Sequence, residues 1–349
     1  MSTTEKSASP AAEFFRDAIV IDALDTSNWR EANVLRNLRL GGVTAINATV
    51  AIWEGFTAAM DNLTEWSTRF EDYAEHIRPV RAVADIHAAK REGRTGVILG
   101  WQNATPVEND IQRFQLFQAL GVRVVQLTYN ERNLFGNGCW ERTDEGLSRI
   151  GMAAVRELNR LGMLIDLSHC GDRTTLETIE HSEQPCAITH AVARSMYEAT
   201  DFIRPRMKPD EAIRALAARG GVFGVTSLPS FFPDAWQSSL DDLVDAIDYV
   251  VELIGVDHVG VGNDFCMEQP LEWWQWIISS QGTRTDWPLV EGLPIPYRHL
   301  TGLNGPLEYV NLAEALFMRG YSKVDARKIL GENFLRLFGE VWRQDAPAA

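Results

Sequence analysis

The sequence predicts an α/β protein folded as a (β/α)8 barrel. Eight short apolar runs alternate with stretches of helical periodicity, the pattern of parallel strands joined by helices. Most runs are too apolar to keep one face in water, as expected of strands that helices cover. The count of eight favours a closed barrel over its main alternative, a doubly wound open sheet. No linker or internal repeat interrupts the pattern, so residues 1–349 are expected to form one domain.

The first half of the chain supplies four predicted strands. They are residues 18–24 (AIVIDAL), 43–51, 96–102 (GVILGWQ) and 122–129 (VRVVQLTY). Helices are expected between them, at 29–39, 57–77, 80–92 and 111–120. The polar residues 1–10 are expected to form a disordered arm.

The second half supplies the other four strands. They are residues 164–169 (LIDLSH), 186–190 (CAITH), 222–228 (VFGVTSL) and 258–265 (HVGVGNDF). The intervening helices are expected at about 145–161, after His169, at 209–219 and at 239–254, and two more close the chain at 306–319 and 322–345. In a barrel, the chemistry lies where the strands end.

Two of these strands end in a histidine. His169 and His190 close successive strands joined by one helix, and parallel strands joined by a crossover helix bring equivalent ends to one rim. The two imidazoles are therefore expected to lie close together. Imidazole is the commonest metal ligand among side chains, so the pair predicts a metal site or an acid/base site. A buried histidine bonded to a carbonyl group is the alternative for each.

Three other strand ends are polar. Asp264 could be a metal ligand or a general base, or simply cap the next helix. Gln102 and Tyr129 are neutral at pH 7 and could orient a substrate or donate a hydrogen bond to a developing oxyanion. Hydrogen bonding at the edge of the core is an equal alternative for these two residues.

Tryptophans cluster after the last predicted strand. Trp273, Trp274 and Trp276 are expected in a loop, as a hydrophobic lid or a subunit contact. A sharper hypothesis is an aromatic wall, with Trp274 able to hold a cationic group face-on.

The composition excludes several classes of partner. The net charge of −15 argues against nucleic acid and anionic membranes. The four scattered cysteines form no CxxC motif, which favours reduced thiols. The sequence has no signal-peptide pattern and no apolar run of about 18 residues, so no membrane span is expected. We therefore expect a cytoplasmic protein with a small-molecule substrate.

Several segments resemble the membrane (renal) dipeptidases, metal-dependent (β/α)8 amidohydrolases that act on dipeptides. The resemblance rests on LIDLSH at 164–169, ITH at 188–190, RPRMKPDE at 204–211, HVGVGNDF at 258–265 and LGENFLRLF at 330–338. It implies that His169 and His190 bind the second of two zinc ions and that Asp264 is the catalytic acid/base. It also implies that Arg206, or less securely Arg204, binds the substrate carboxylate. A homodimer is a further hypothesis from the family and the tryptophans.

The sequence departs from this family at the first metal. Where the family has a histidine and an aspartate in its DGHxD motif, this chain has Leu24 and Thr26. Gln102 replaces the glutamate that bridges the two metals, and Tyr129 replaces a substrate-polarising histidine. Because paired cations need such bridging charge, we expect at most one divalent metal, zinc in the first instance, at His169 and His190. Asp25 could compensate only if its strand slipped by one residue.

The predicted function is that of a dipeptidase-like amidohydrolase with a mononuclear or vestigial metal site. It would hydrolyse an amide C–N bond of a small dipeptide or amino-acid derivative, and Asp264 would transfer the proton. Two alternatives remain open from the sequence. One is a metal-free enzyme that uses the same residues for proton transfer. The other is a binding protein for a small zwitterion or quaternary ammonium.

Overall fold

A parallel nine-stranded sheet forms the centre of the computed structural model, which describes residues 10–201, 203–279 and 297–342. The neighbours run in the order β1-β2-β4-β5-β6-β7-β8-β9. The bounds of the strands are Ile21–Asp25 (β1), Ala45–Ala51 (β2), Ile77–Val80 (β3), Thr95–Trp101 (β4), Val122–Gln126 (β5), Leu164–Asp166 (β6), Ala187–Ala191 (β7), Val222–Val225 (β8) and Val259–Val261 (β9). Of the expected arm at residues 1–10, residues 1–9 lie outside the described residues, and Pro10 begins the first helix.

The first and last strands meet at their carboxyl ends. Asp25 pairs with Phe265, just beyond β9, and the amide of Thr26 donates to the carbonyl of Phe265 at 2.8 Å. Asn263 reinforces the junction through its side-chain amide, which donates to Asp22 Oδ2 at 2.8 Å. The sheet is therefore a nearly closed barrel of eight strands, and the predicted (β/α)8 fold is confirmed.

The ninth strand was not expected from the sequence. Residues 77–80 lie at the junction of two predicted helices, but they form β3 and pair with the first half of β4. The second half of β4 pairs with β5 instead. The helix prediction is wrong here because four residues are too few to show periodicity, and pairing with an exposed edge of β4 decides their conformation.

Thirteen α-helices are described. They are Pro10–Asp17 (α1), Ala32–Leu40 (α2), Phe56–Asp72 (α3), Val83–Glu92 (α4), Arg113–Leu120 (α5), Arg149–Leu161 (α6), Asp172–His181 (α7), Asp210–Ala218 (α8), Leu240–Ile254 (α9), Leu271–Ile278 (α10), Tyr309–Arg319 (α11), Lys323–Arg327 (α12) and Asn333–Val341 (α13). The loop predicted for the tryptophans is wrong, because Pro270 precedes a helix that carries all three.

In the ranges that the structure describes, no helix is long and apolar enough to cross a membrane. The cytoplasmic location stays a prediction.

The lower end of the barrel is closed by the last helix. Phe334 and Phe338 of α13 are buried among inward side chains of the strands, such as Ile98 and Val124. Phe334 also fills the space beside Gly260, where a Cβ atom would stand 2.4 Å from its ring. The barrel is thus filled from below by side chains of α13.

Two glycines, one in β8 and one just after β9, allow the main chain to approach β7 near its end. A Cβ atom on Gly224 or on Gly262 would stand 2.0 Å from the carbonyl oxygen of Thr189. No side chain can occupy that space without moving backbone, because the obstacle is a main-chain atom. These close approaches therefore fix the position of His190, the next residue along β7.

Replacing Gly262 with Ala should destabilise the fold. The added methyl group would meet the carbonyl oxygen of Thr189, and such overpacking costs about 1–3 kcal/mol. Gly339→Ala is the matched control, because Gly339 lies exposed in α13 with its nearest neighbour atom 3.9 Å from the added Cβ. That change should raise the free energy of unfolding by up to about 1 kcal/mol. Urea denaturation of both variants measures the difference, and equal stabilities would contradict the packing argument.

Candidate active site

A cavity of about 700 Å³ opens at the carboxyl ends of the strands, where a barrel of this type places its active site. Six of the seven side chains that the sequence singles out line it: Gln102, Tyr129, His169, Arg206, Asp264 and Trp274. The seventh, His190, lies next to His169. The structure thus brings together residues that are up to 172 positions apart, counted from Gln102 to Trp274.

The two imidazoles face each other. His169 Nε2 and His190 Nε2 are 3.1 Å apart, and both side chains are buried, with 5% and 1% of their surfaces exposed. His190 lies within β7, and His169 follows the end of β6 by three residues. Helix α7 joins these two strands and carries the chain back to the same rim. The predicted proximity of the pair is therefore observed.

Asn130 fixes the orientation of the His169 ring. His169 Nδ1 lies 2.6 Å from Asn130 Oδ1. An amide oxygen only accepts hydrogen bonds, so Nδ1 carries the proton. In neutral His169, Nε2 then presents its lone pair to His190.

A hydroxyl and a carboxylate fix the second ring. His190 Nδ1 lies 2.8 Å from Thr189 Oγ1, which is itself 2.7 Å from Asp166 Oδ2. If the hydroxyl donates to the carboxylate, it accepts from His190 Nδ1, and the Nε2 lone pair of His190 also points inward. If it donates to the ring instead, His190 Nε2 is protonated and donates to His169. The first arrangement suits a cation between the rings, and the second needs none.

Burial keeps the histidine pair neutral. Loss of water lowers the pKa of both imidazoles well below the usual value, and the Arg206 guanidinium lowers them further. A positively charged pair is therefore disfavoured, and neutral imidazole is the form that binds metals.

Arg206 ties the two histidine segments together. Its guanidinium donates to the carbonyl of Ser168 at 2.5 Å and to the carbonyl of His190 at 3.0 Å. It also lies over the ring of Phe231, 5.6 Å from the centroid. Arg204 is exposed. Of the two arginines that the resemblance allows, only Arg206 lies at the cavity.

Asp264 occupies an unusual backbone conformation at the rim. Its φ angle is +58°, in the left-handed region that costs a non-glycine residue about 1 kcal/mol or more. Thr26 Oγ1 donates to Asp264 Oδ1 at 3.3 Å. Burial raises the pKa of Asp264 to about 6, although the nearby Arg206 opposes the rise. The carboxyl group can therefore both accept and release a proton near neutral pH.

Tyr129 and Gln102 are held rigidly at the rim. The phenol ring of Tyr129 stacks on the His169 ring with centroids 4.0 Å apart, and burial raises the pKa of Tyr129 well above its usual value. It is therefore a neutral hydrogen-bond donor. Gln102 donates from its side-chain amide to Thr49 Oγ1 at 3.0 Å, which fixes the direction of that amide.

A two-metal cluster does not fit this rim. Leu24 is apolar and buried, Thr26 is bonded to Asp264, and Gln102 has no charge. Within the described ranges, no three His, Cys, Asp or Glu side chains are grouped to hold a metal ion. One divalent ion at His169 and His190, with Asp264 as the acid/base, stays a prediction.

Asp25 does not compensate for the missing ligands. The pairing of β1 with β2 shifts between Asp22 and Asp25, yet Asp25 is fully buried and is absent from the cavity lining. Its Oδ1 accepts from the amide of Ser27 at 2.8 Å. Its Oδ2 has no hydrogen-bond partner among the described residues.

The histidine pair by itself fits one metal ion. Two nitrogens bound to one zinc ion at 2.0–2.1 Å in tetrahedral geometry lie roughly 3.3 Å apart, close to the 3.1 Å observed between the two Nε2 atoms. The partners at both Nδ1 atoms resemble the outer hydrogen bonds that orient metal-bound histidines. Solvent or substrate would have to complete the coordination.

Two of the three tryptophans of α10, Trp273 and Trp274, form part of the cavity wall. Trp274 stacks on Tyr297 with centroids 4.2 Å apart, and Trp273 meets Trp274 edge to face at 4.9 Å. Trp276 packs edge to face on Trp53 at 4.8 Å. One face of Trp274 is thus already occupied by a ring, so the face-on cage for a cation stays a hypothesis.

Sequence reasoning missed the residues that orient the histidines. Asn130 follows the predicted strand end Tyr129, Thr189 precedes His190, and Asp166 lies three residues before His169. A polar residue beside each predicted site residue was the available signal. Nothing in the sequence separates these neighbours from ordinary polar residues at strand ends.

Comparison with known proteins identifies the family of this chain and agrees with its fold. Residues 20–275 match the family model for membrane dipeptidases, peptidase family M19. The dipeptidase verJ of Clonostachys rogersoniana is 28% identical over 342 residues, which cover 92% of this chain and 79% of that protein. The dipeptidase tcpJ of Claviceps purpurea is 26% identical, and the match covers 78% of this chain but only 57% of that protein.

Solved structures show the same fold. An amidohydrolase from Pseudomonas aeruginosa is 36% identical, with a TM-score of 0.88 and coverage of 95% of this chain and 99% of that one. A metallopeptidase from Rhodobacter sphaeroides, solved with a phosphinate mimic of the dipeptide L-Ala-D-Ala, is 17% identical, with a TM-score of 0.77 and coverage of 93% and 100%. At that identity the second comparison supports the fold alone.

Replacing Asp25 with Asn should change how stability depends on pH. Burial raises the pKa of Asp25 to about 7, whereas an unfolded aspartate ionises near 3.9. Between these values the folded protein holds a proton that the unfolded chain has lost, so this group lowers the free energy of unfolding as pH rises. Asp25→Asn removes the effect, and the variant should gain stability relative to the wild type from about pH 4 to 7.

Urea denaturation at several pH values tests this expectation. Asp61→Asn is the control, because Asp61 is exposed on α3. It should leave the pH dependence unchanged. Parallel curves for Asp25→Asn and the wild type would show that Asp25 is ionised in the fold.

Proposed function

The chain belongs to the membrane dipeptidase family, and we propose that it hydrolyses the amide bond of a small dipeptide or amino-acid derivative with at most one divalent ion at His169 and His190. The observation that carries the proposal is the 3.1 Å approach of the two Nε2 atoms beside a cavity that Arg206 and Asp264 line. Family membership makes the chain a dipeptidase-like hydrolase. Our proposal goes beyond family membership in limiting the metal site to at most one ion.

Arg206 would bind the carboxylate of the substrate. It is the one permanently cationic side chain among the described residues that line the cavity. Its bonds to the carbonyls of Ser168 and His190 hold the guanidinium in place, so little side-chain freedom is lost on binding. A carboxylate placed there brings the amide of the same amino-acid unit toward Asp264 and the histidines.

Asp264 would move the proton in the reaction. As a carboxylate it accepts a proton from the attacking water, and as an acid it returns the proton to the leaving nitrogen. Tyr129 is a neutral donor that can hydrogen-bond the carbonyl oxygen as negative charge develops there. A divalent ion, when bound, would polarise that carbonyl group and lower the pKa of water.

A metal titration separates this site from a two-metal site. Isothermal titration with Zn²⁺ should give at most one ion per chain, and His169→Ala should abolish the binding. Thr189→Val removes the partner of His190 Nδ1 and should weaken binding by about 10–100-fold, whereas Thr189→Ser should retain it. Thr175→Val is the matched control, since Thr175 is buried but bonds to Lys208 and the carbonyl of Cys170. Two tightly bound ions per chain would refute the proposal.

A metal-free enzyme is the second candidate. The arrangement in which His190 Nε2 donates to His169 satisfies both rings without an ion, and the described residues offer no third ligand of the usual kinds. In that case amide hydrolysis would survive exhaustive chelation. Loss of activity on chelation, restored by one equivalent of metal, would exclude it.

The pH profile tests the role of Asp264. With a pKa of about 6, the carboxyl must be ionised to act as base, so kcat/KM should fall about tenfold per unit below pH 6 and level off above it. Asp264→Asn should lower kcat by about 10²–10⁴-fold. Thr26→Val removes the hydroxyl bonded to Asp264 Oδ1 and should move the midpoint to higher pH. A profile without a midpoint between pH 5 and 7 would argue against this role.

A further inference from the structure

The lining of the cavity has two unlike parts. The polar part of the lining includes Asp264, Arg206 and His169. The larger part is apolar and comes from α10 and from segments that follow the strands. Its members are Ile52, Trp140, Ile203, Leu228, Phe231, Trp236, Trp273, Trp274, Ile277, Ile278 and Tyr297. We call these residues the apolar wall.

The cavity is larger than a minimal substrate needs. Its volume of about 700 Å³ lies in the range of pockets that enclose drug-sized ligands. A dipeptide of two small residues, with its carboxylate at Arg206, would leave much of the apolar wall in contact with water. A substrate that covers the wall with an apolar group gains binding free energy in proportion to the area covered.

The charges of the cavity indicate whether the substrate has a free α-ammonium group next to the amide. Among the described lining residues, Arg206 is the only arginine or lysine and Asp264 is the only carboxyl group. Asp264 has its part in proton transfer, and Thr26 and Gln102 are uncharged. A free α-ammonium group next to the amide would therefore find no carboxylate besides Asp264 among the described lining residues, and burying it there is costly.

We propose that the preferred substrates are N-acyl amino acids with a large apolar acyl group, rather than dipeptides with a free amino terminus. This inference rests on the proposed function and names its substrate class. The carboxylate would bind Arg206, the amide would lie by Asp264 and the histidine pair, and the acyl group would cover the apolar wall. Water adds across the C–N bond, so its oxygen joins the acyl carbon, a proton passes to the nitrogen, and the products are a carboxylic acid and a free amino acid.

One matched pair of substrates tests the charge argument. N-(3-phenylpropanoyl)alanine and phenylalanylalanine differ only by the α-ammonium group, and both enantiomers of the alanine unit are used. The N-acyl compound should have at least a tenfold higher kcat/KM. Equal values, or a preference for the dipeptide, would overturn the inference and leave the amidohydrolase function standing. If neither compound is hydrolysed and N-acetylalanine is not hydrolysed either, both the inference and the amidohydrolase function are overturned.

A chain-length series tests the contribution of the wall. From N-acetyl- to N-octanoylalanine, kcat/KM should rise about threefold to fourfold per added methylene until the wall is covered. Ile277→Ala and Ile278→Ala should reduce the ratio of octanoyl to acetyl rates. Leu271→Ala is the control, because Leu271 is on the same helix but 40% exposed. It should leave the ratio unchanged. A series with no dependence on length would overturn the inference.

Discussion

The close approach of two neutral imidazoles is the constraint on which the site depends. Two lone pairs cannot face each other at 3.1 Å in a buried place without a cation or a proton between them. The Asn130 oxygen keeps the proton of His169 on Nδ1. The hydrogen bonds of Thr189 with Asp166 and with His190 determine which nitrogen of His190 is protonated.

Much of the barrel serves to hold that geometry. Gly224 and Gly262 let the backbones of two strands pack against Thr189, and Arg206 joins the carbonyl groups next to both histidines. These main-chain contacts and the hydrogen bonds at both Nδ1 atoms together fix the pair.

The sequence reveals the barrel and the histidine pair for the same physical reason. Strands buried on both faces leave a plain apolar pattern, and the end of a parallel strand has a known place on the rim. Strand β3 could not be predicted, because its four residues take their conformation from an edge of β4. Asn130 could not be assigned either, because its bond to His169 spans 39 positions and depends on how two loops pack. The cavity wall likewise combines segments that no local pattern connects.

The rim has few charged groups and the wall is apolar. These two features are connected through the free energy of substrate binding. Because Thr26 and Gln102 are uncharged, fewer groups at the rim could bind a charged substrate. The pKa of Asp264 is raised because the site is poorly hydrated. A site that binds through fewer ions must gain affinity from apolar area instead, at about 25 cal/mol per Å². The same exclusion of water that the aromatic and aliphatic side chains impose also keeps the imidazoles neutral. The neutral state of the histidine pair thus follows from the low polarity of its surroundings, and the proposed substrate class rests on the same property.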